Sequence, residues 1–171
     1  MTPQDTQIVT RTIAVLVDNE PGVLARVIGL FSGRGYNIES LTVTEVEASA
    51  HLSRITIVTS GTVQIITQIK AQLARLVPVR KVSDLSEEGQ AVERELALVK
   101  VAGTGDKRVE ALRIADIFRA SVVDSSHDHF VFEVTGKSDK LDVFVDLMQP
   151  LGLIDVSRTG VVAISRGAKP L

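Results

Sequence analysis

One segment, from Asp18 to Ser40, limits the possible folds of this chain more than any other: DNEPGVLARVIGLFSGRGYNIES. It follows a β-branched apolar run at residues 11–17 (RTIAVLV), which is typical of a strand. Two glycines then end a predicted helix over residues 21–32, and residues 36–46 resume a strand pattern. The helix is predicted from apolar residues at i, i+3, i+4 and i+7, which form one buried face: Leu24, Val27, Ile28 and Phe31.

The turn before this helix offers a place for a small anion. Pro21 suits the first helical position, where its missing N–H costs nothing. The backbone N–H groups that follow have no acceptor inside the helix and lie at the positive end of its dipole. A carboxylate can bind there, although helix starts without any ligand are far commoner than ligand sites.

The same order of elements is predicted twice along the chain. The first half predicts strands at residues 11–17, 36–46, 52–59 and 79–84, with helices at 21–32 and 63–76. A polar break, SEEGQ, follows at residues 86–90. The second half predicts a strand, a GTGD turn with Asp106 as helix cap, a helix, two strands, a second helix and a last strand bent at Gly160; the strands lie at 95–102, 121–126, 130–135 and 154–165.

This order, βαββαβ with short connections, predicts the ferredoxin-like plan. Each copy would have an antiparallel four-stranded sheet with both helices on one face. The fold class is therefore α+β with two ferredoxin-like domains. We expect a mobile lead-in at residues 1–10, a first domain at 11–85, a linker at 86–91 and a second domain at 92–171. A chain cut near residue 88 is expected to keep a complete first domain.

The first predicted strand is apolar on both faces. Ile13 and Val15 alternate with Ala14 and Leu16. Helices cover only one face of a two-layer fold, so another subunit or the second domain is expected to cover the other. A homodimer is the default expectation.

Composition excludes several functional classes. The formal net charge is −2, with acidic and basic residues interleaved, so no nucleic-acid surface is indicated. The absence of cysteine excludes disulfides, thiolate metal sites and a cysteine nucleophile. The first ten residues resemble no signal peptide, and no apolar run reaches the length of a membrane span. A cytoplasmic protein without a nucleic-acid or membrane partner is expected.

Other candidate sites are weak. His127 and His129 supply two metal ligands without a third, so no metal site is predicted. GTGDK at residues 103–107 lacks the third glycine of a dinucleotide fingerprint and the ending of a P-loop. Ser125, Asp128 and His129 have the residue types of a hydrolase triad but are too close in sequence. His51 is expected to face solvent. No catalytic group is predicted.

Five stretches resemble the small, regulatory subunits of acetolactate synthase (acetohydroxyacid synthase), a family of ACT-domain proteins: NEPGVLARVIGLFSGRGYNIESLTV, LSRITIVTSG, AQLARLVPVRKVSDL, VERELALVKV and SRTGVVAISRG. The turn–helix–glycine pattern alone would be a weak sign, whereas matches in order through both halves are specific. The resemblance runs from about Arg11 to Lys169. It implies an N-terminal ACT domain and a C-terminal ACT-like domain.

The resemblance also implies an effector site for a branched-chain amino acid, chiefly valine, between two ACT domains. One subunit would supply the loop before its first helix, and the neighbour would supply the start of its second strand. Backbone N–H groups would take the carboxylate, asparagine oxygens the ammonium, and Ile38 the isopropyl group, with Gly22 leaving room for the ligand. The residues carried over are Asn19, Gly22, Val23 and Leu24 on one side and Asn37 and Ile38 on the other. Pro21 stands where some relatives have serine.

The function implied is regulatory and not catalytic. The chain would form a homodimer and bind the large catalytic subunit of acetolactate synthase, a transferase that condenses 2-ketoacids. It would activate that subunit and confer valine feedback inhibition on branched-chain amino-acid biosynthesis. Thiamine diphosphate, Mg and FAD would belong to the catalytic partner. The alternative is a free-standing ACT-type amino-acid sensor of a transcriptional regulator, but no helix-turn-helix or basic patch precedes Arg11.

Overall fold

The computed structural model describes residues 7–47, 49–87, 91–168 and 170–171. Two compact units make up the chain: Met1–Val92 together with Val161–Leu171, and Glu93–Gly160. Each unit has an antiparallel sheet and two helices, so the predicted α+β class with two ferredoxin-like domains is confirmed. Among the described residues, none of the helices has the length and apolar character needed to cross a membrane.

The first unit follows the βαββαβ order. Its sheet has the strand order β2-β3-β1-β4, with antiparallel neighbours throughout. The helices pack on one face of this sheet, against alternate residues of the two central strands, Ile13 and Val15 on β1 and Ile55 and Ile57 on β3. The elements are β1 (Ile8–Asp18), α1 (Val23–Ser32), β2 (Ser40–Glu47), β3 (Leu52–Thr62), α2 (Val63–Leu73) and β4 (Val79–Asp84).

Several boundaries differ from the sequence prediction. The helix α1 begins at Val23 and not at Pro21, because the N-cap Gly22 has a left-handed backbone with φ of +83°. The strand β2 begins at Ser40, four residues after the predicted start at Tyr36, while β1 already begins at Ile8, inside the predicted lead-in. The remaining lead-in residues 1–6, and residues 88–90 of the predicted linker, lie outside the described part of the chain.

The sheet face opposite the helices is covered by the end of the same chain. A further strand, β9 (Val162–Ser165), belongs to the first unit and pairs with β5, whose first residues also belong to that unit. Ala14 of β1 is fully buried and clusters with Leu85 and Ala163. The cover of this face of β1 thus includes Ala163, a residue of the predicted second domain (92–171) that the structure groups with the first unit. A chain cut near residue 88 would lack this cover.

The second unit repeats the topology with the strand order β6-β7-β5-β8. The N-cap of its first helix is Thr104, and Asp106 lies in the first turn, so the predicted cap was wrong. The predicted bent strand at residues 154–165 is two strands, which belong to different units. The elements are β5 (Ala91–Ala102), α3 (Gly105–Phe118), β6 (Ser121–Ser125), β7 (His129–Gly136), α4 (Ser138–Gly152) and β8 (Leu153–Arg158).

Candidate functional site

The turn between β1 and α1 is fixed by contacts on both sides of Asp18. The backbone N–H of Asp18 donates to the carbonyl oxygen of Pro78 at 2.8 Å, and Arg80 Nε lies 2.8 Å from Asp18 Oδ1. The N–H of Asn19 donates to the carbonyl oxygen of His51 at 2.6 Å. His51 is exposed, as expected, but its carbonyl has a role that its side chain did not indicate. The loop that carries Asn19 is therefore held in place by contacts within the first unit.

Gly22 has both the conformation and the free space that a backbone anion site needs. Its φ of +83° is one that residues with a side chain rarely adopt. A Cβ added there would meet no heavy atom within 4 Å. Room for the ligand is the reason for glycine that the family resemblance implies, and the backbone conformation is a second and independent reason.

Of the backbone N–H groups of Gly22, Val23 and Leu24, two are open at this turn. The N–H of Val23 donates to the carbonyl oxygen of Glu20 at 3.3 Å. Those of Gly22 and Leu24 have no hydrogen-bond acceptor among the residues that the structure describes. The Val23 side chain is buried in the core, and Leu24 is half-buried against it, so neither side chain is free to enclose a ligand fully. What the turn offers is two N–H groups at a helix start.

The second group, Asn37 and Ile38, lies in the segment just before β2. The hydroxyl of Thr59 donates to the carbonyl oxygen of Asn37 at 2.6 Å, and Thr59 itself is fully buried. Ile38 packs against the first unit's core, while the Asn37 side chain is exposed. Sequence reasoning missed Thr59, although it continues the alternation of Ile55 and Ile57 on the buried face of β3.

One further residue joins the loop to β2. The amide nitrogen of Asn19 donates to Glu45 Oε1 at 3.3 Å, so Glu45 places a carboxylate beside the loop. No hydrogen bond directly connects the Asn19–Leu24 group with Asn37 or Ile38 among the described residues. The two predicted half-sites, Asn19–Leu24 and Asn37–Ile38, are thus separate within the first unit.

The triad residue types in the second unit do come together, but with Ser126 and not Ser125. Ser126 Oγ lies 2.6 Å from His129 Nδ1 and also donates to Asp128, while His129 Nε2 lies 2.9 Å from Asp124 Oδ2. Hydrogen bonds to Asp124 and then Asp128 raise the pKa of the His129 imidazole. Acceptors at both ring nitrogens favour the protonated form of the ring, and a protonated imidazole cannot take a proton from Ser126.

The GTGD turn serves packing. Arg108 donates from Nη1 to the carbonyl oxygens of Gly103 at 3.2 Å and Ser126 at 2.9 Å. Its guanidinium also lies 4.0 Å from the centre of the Phe130 ring. The space above this turn is therefore occupied by the protein's own side chains. The described residues contain no group of three histidine, aspartate or glutamate side chains placed to hold a metal ion.

A buried ion pair fixes the end of β8 to the start of β5. Arg158 donates to both carboxylate oxygens of Glu95, at 2.9 and 2.7 Å, and Ser138 Oγ donates to the same group at 2.9 Å. Burial by itself would raise the pKa of the Glu95 carboxyl, but these hydrogen bonds outweigh burial and hold the pKa below its ordinary value. Asp142 binds the other side of Arg158 at 2.5 Å. This network is structural, since every member is satisfied within the unit.

Comparison with known proteins covers both halves of the chain. Residues 94–167 match the family described as "Small subunit of acetolactate synthase", and residues 13–81 match "AHAS small subunit-like ACT domain". A probable acetolactate synthase small subunit of Archaeoglobus fulgidus is 51% identical over 158 residues, covering 92% of this chain and 98% of that protein. The acetolactate synthase isozyme 3 small subunit of Salmonella typhimurium is 46% identical over 160 residues, covering 93% and 97%.

A solved structure agrees with these sequence matches. The crystal structure of the acetolactate synthase small subunit from Thermotoga maritima is similar with a TM-score of 0.83 at 38% identity, covering 94% of this chain and 99% of that one. The predicted family resemblance is confirmed.

Proposed function

The chain belongs to the family of acetolactate synthase small subunits, and from that membership we propose that it binds and activates the large catalytic subunit and makes it sensitive to valine. It acts as a non-catalytic regulatory subunit in branched-chain amino-acid biosynthesis. Thiamine diphosphate, Mg and FAD belong to the large subunit, and the ligand of this chain is the amino acid.

The observation that carries the proposed site is the open turn at Gly22. Gly22 has φ of +83°, and an added Cβ there would meet no heavy atom within 4 Å. Its N–H and that of Leu24 have no acceptor in the part of the chain that the structure describes. An amino-acid carboxylate needs this kind of site, because backbone donors at a helix start neutralise its charge without a buried cation.

The other residues of the site bind the ammonium and the side chain of the amino acid. The side-chain oxygen of Asn19 and the carboxylate of Glu45, 3.3 Å from the Asn19 amide, attract the ammonium. In a homodimer, Asn37 and Ile38 of a second copy close the site, with Ile38 against the isopropyl group. A shared site of this kind requires two half-sites that are not joined directly, and no hydrogen bond between the described residues joins them.

Valine then acts by shifting a conformational equilibrium. A ligand bound by two copies adds contacts only in the arrangement that brings both half-sites together. A coupling free energy of about 1–3 kcal/mol changes the population of the active arrangement by roughly 5–150-fold.

The experiment is valine inhibition of the synthase reconstituted from large subunit and full-length chain. Gly22→Asp is expected to abolish inhibition while activation without valine persists. Like charges about 4 Å apart repel by about 4 kcal/mol at an effective dielectric constant near 20, which exceeds a hundredfold loss of affinity. Asn37→Ala is expected to weaken inhibition from the other half-site.

Gly22→Asn is the matched control, because asparagine has the shape of aspartate, tolerates positive φ and carries no charge. It should bind valine more weakly than the wild type but more tightly than Gly22→Asp. Unchanged inhibition in Gly22→Asp would show that the carboxylate binds elsewhere.

A further inference from the structure

The last residues of the chain, Val161–Leu171, are part of the first unit, and we call them the C-terminal segment. Both backbone polar groups of Val161 are bound by hydroxyls of β2. The N–H of Val161 donates to Ser40 Oγ at 2.7 Å, and Thr42 Oγ donates to the Val161 carbonyl oxygen at 3.1 Å. Val161 itself is only 8% exposed. One residue of the segment is thus held from both sides by one strand.

The pairing register explains why β2 offers two hydroxyls to the same residue. Ser40 and Thr42 are two positions apart, so their side chains lie on one face of the sheet. Thr42 stands opposite Thr56 on β3, which stands opposite Ala14 on β1, so this is the face opposite the helices. Thr56 and Ala14 are buried there, and the segment supplies the cover.

Arg54 anchors the segment a second time. Its guanidinium donates to the carbonyl oxygen of Ala163 at 2.7 Å. Arg54 lies on the same face as Thr42, since it stands opposite Thr44 in the register. A charged donor to a carbonyl at this distance is one of the stronger hydrogen bonds in a protein. The segment therefore has fixed positions at Val161 and Ala163.

These contacts end next to one half of the proposed amino-acid site. Ser40 is the first residue of β2 and follows Ile38 by two residues. On the other side, Thr59 holds the Asn37 carbonyl at 2.6 Å. The backbone from Asn37 to Ser40 is thus held by Thr59 at one end and by the C-terminal segment at the other.

We propose that the C-terminal segment positions the Asn37–Ile38 half of the amino-acid site, with Ser40 as the positioning residue. This inference rests on the proposed function, because it concerns the same site. Residues more than 120 positions apart in sequence would then be one functional element, as the separation of 121 between Ser40 and Val161 shows. Val161 directly follows Gly160, the last residue of the second unit. Valine binding would therefore also constrain the backbone where the chain passes from the second unit back to the first.

The test uses the full-length chain with the large subunit. Ser40→Ala removes the acceptor of the buried Val161 N–H, and we expect the valine concentration for half-inhibition to rise about five- to tenfold, the effect of one buried hydrogen bond. Activation without valine should stay at the wild-type level. Ser40→Thr keeps the hydroxyl and should restore the wild-type response.

Thr42→Val and Thr44→Val form a matched pair. Both remove a hydroxyl from the same face of β2. Of the two, only Thr42 hydrogen bonds to the described part of the segment, whereas the Thr44 hydroxyl donates to the Glu45 carbonyl oxygen at 3.5 Å. Thr42→Val should weaken valine inhibition about threefold, for the loss of one modest hydrogen bond, and Thr44→Val should not. Hydrogen exchange at the Val161 amide should rise in Ser40→Ala.

The outcomes separate this inference from the proposed function. A wild-type complex that ignores valine would refute the proposed function and this inference with it. A wild-type complex inhibited by valine, with Ser40→Ala inhibited equally, would overturn only the positioning role. Equal losses in Thr42→Val and Thr44→Val would overturn it as well, because the effect would not follow contact with the segment.

Discussion

The two units place a β-strand, a turn and a helix in the same order, yet the turns differ. In the first unit, nothing lies within 4 Å of a Cβ added at Gly22. In the second, a Cβ at Gly103 would lie 3.1 Å from the Phe130 ring, and Arg108 binds the turn carbonyl. The same topology therefore gives one open turn and one filled turn. Only the open turn has room for a ligand, so the ferredoxin-like plan by itself does not make a binding site.

The units also differ in their aromatic content. Four of the five phenylalanines lie in the second unit, where Phe132 contacts both Phe130 and Phe144 at ring-centre distances of 5.3 and 6.2 Å. The first unit has Phe31 packed edge-on against Tyr36 at 6.1 Å. Larger side chains fill the second unit's core, and Arg108 extends this packing to its turn.

Arg108→Met should have the largest effect on this contrast. It removes two hydrogen bonds to carbonyl oxygens and the contact between the guanidinium and Phe130. Methionine keeps an unbranched side chain in place of the aliphatic part of arginine. We expect a loss of about 2–3 kcal/mol of stability, the size of hydrogen bonds made by a charged donor. Urea unfolding measures it, and hydrogen exchange should locate the loss in residues 93–160. A loss of protection confined to the first unit would contradict the role of Arg108 in packing the second unit.

Gly103→Ala and Gly22→Ala compare the two turns directly. Gly103→Ala forces a Cβ against the Phe130 ring, and overpacking of this kind costs about 1–3 kcal/mol. In Gly22→Ala the added Cβ meets no heavy atom within 4 Å. Its cost is the strain of a left-handed backbone, about 1 kcal/mol. Thermal unfolding of both variants should rank Gly103→Ala as the more destabilised. The reverse ranking would mean that backbone strain outweighs packing here.

The Glu95 network makes the unfolding free energy of the second unit depend on pH in the acid range. Because the pKa of Glu95 is lower in the folded state, its contribution is fully present above the unfolded value of about 4.3 and is lost as pH falls through the folded value. Glu95→Gln should cost about 1–2 kcal/mol at pH 7. The difference from wild type should shrink as the pH falls below the unfolded value. Unfolding free energies from pH 7 to pH 3 test this. A constant difference between wild type and variant would contradict the linkage.

Much of the first unit was predictable because its pattern is local. The strand β4 has the bounds that were predicted, Val79–Asp84, and α1 ends at Ser32 as the glycines indicated. The start of α1 was predicted two residues early, because a proline suggests a helix start while a left-handed glycine after it cannot be read from composition. The proposed half-sites were predicted from family resemblance, and periodicity alone would not have selected Asn19 or Asn37.

What lay beyond local pattern was decided by residues distant in sequence. The apolar outer face of β1 indicated that something must cover it, but the cover is the C-terminal segment, through Arg54 and Ala163. Glu45 beside Asn19 and Thr59 beneath Asn37 are likewise cross-strand contacts. Strand register determines such contacts, and the register cannot be predicted from the residue spacing within either strand alone.

The sequence by itself determined the two βαββαβ units, their buried faces and the family, since each depends on the order and periodicity of nearby residues. Tertiary structure alone decided that Val161–Leu171 belongs with the first unit and that one turn is open and the other filled. The physical reason is that local sequence does not determine which groups cover a strand face or fill a turn. This depends on which distant parts of the chain the folded sheet brings within contact distance.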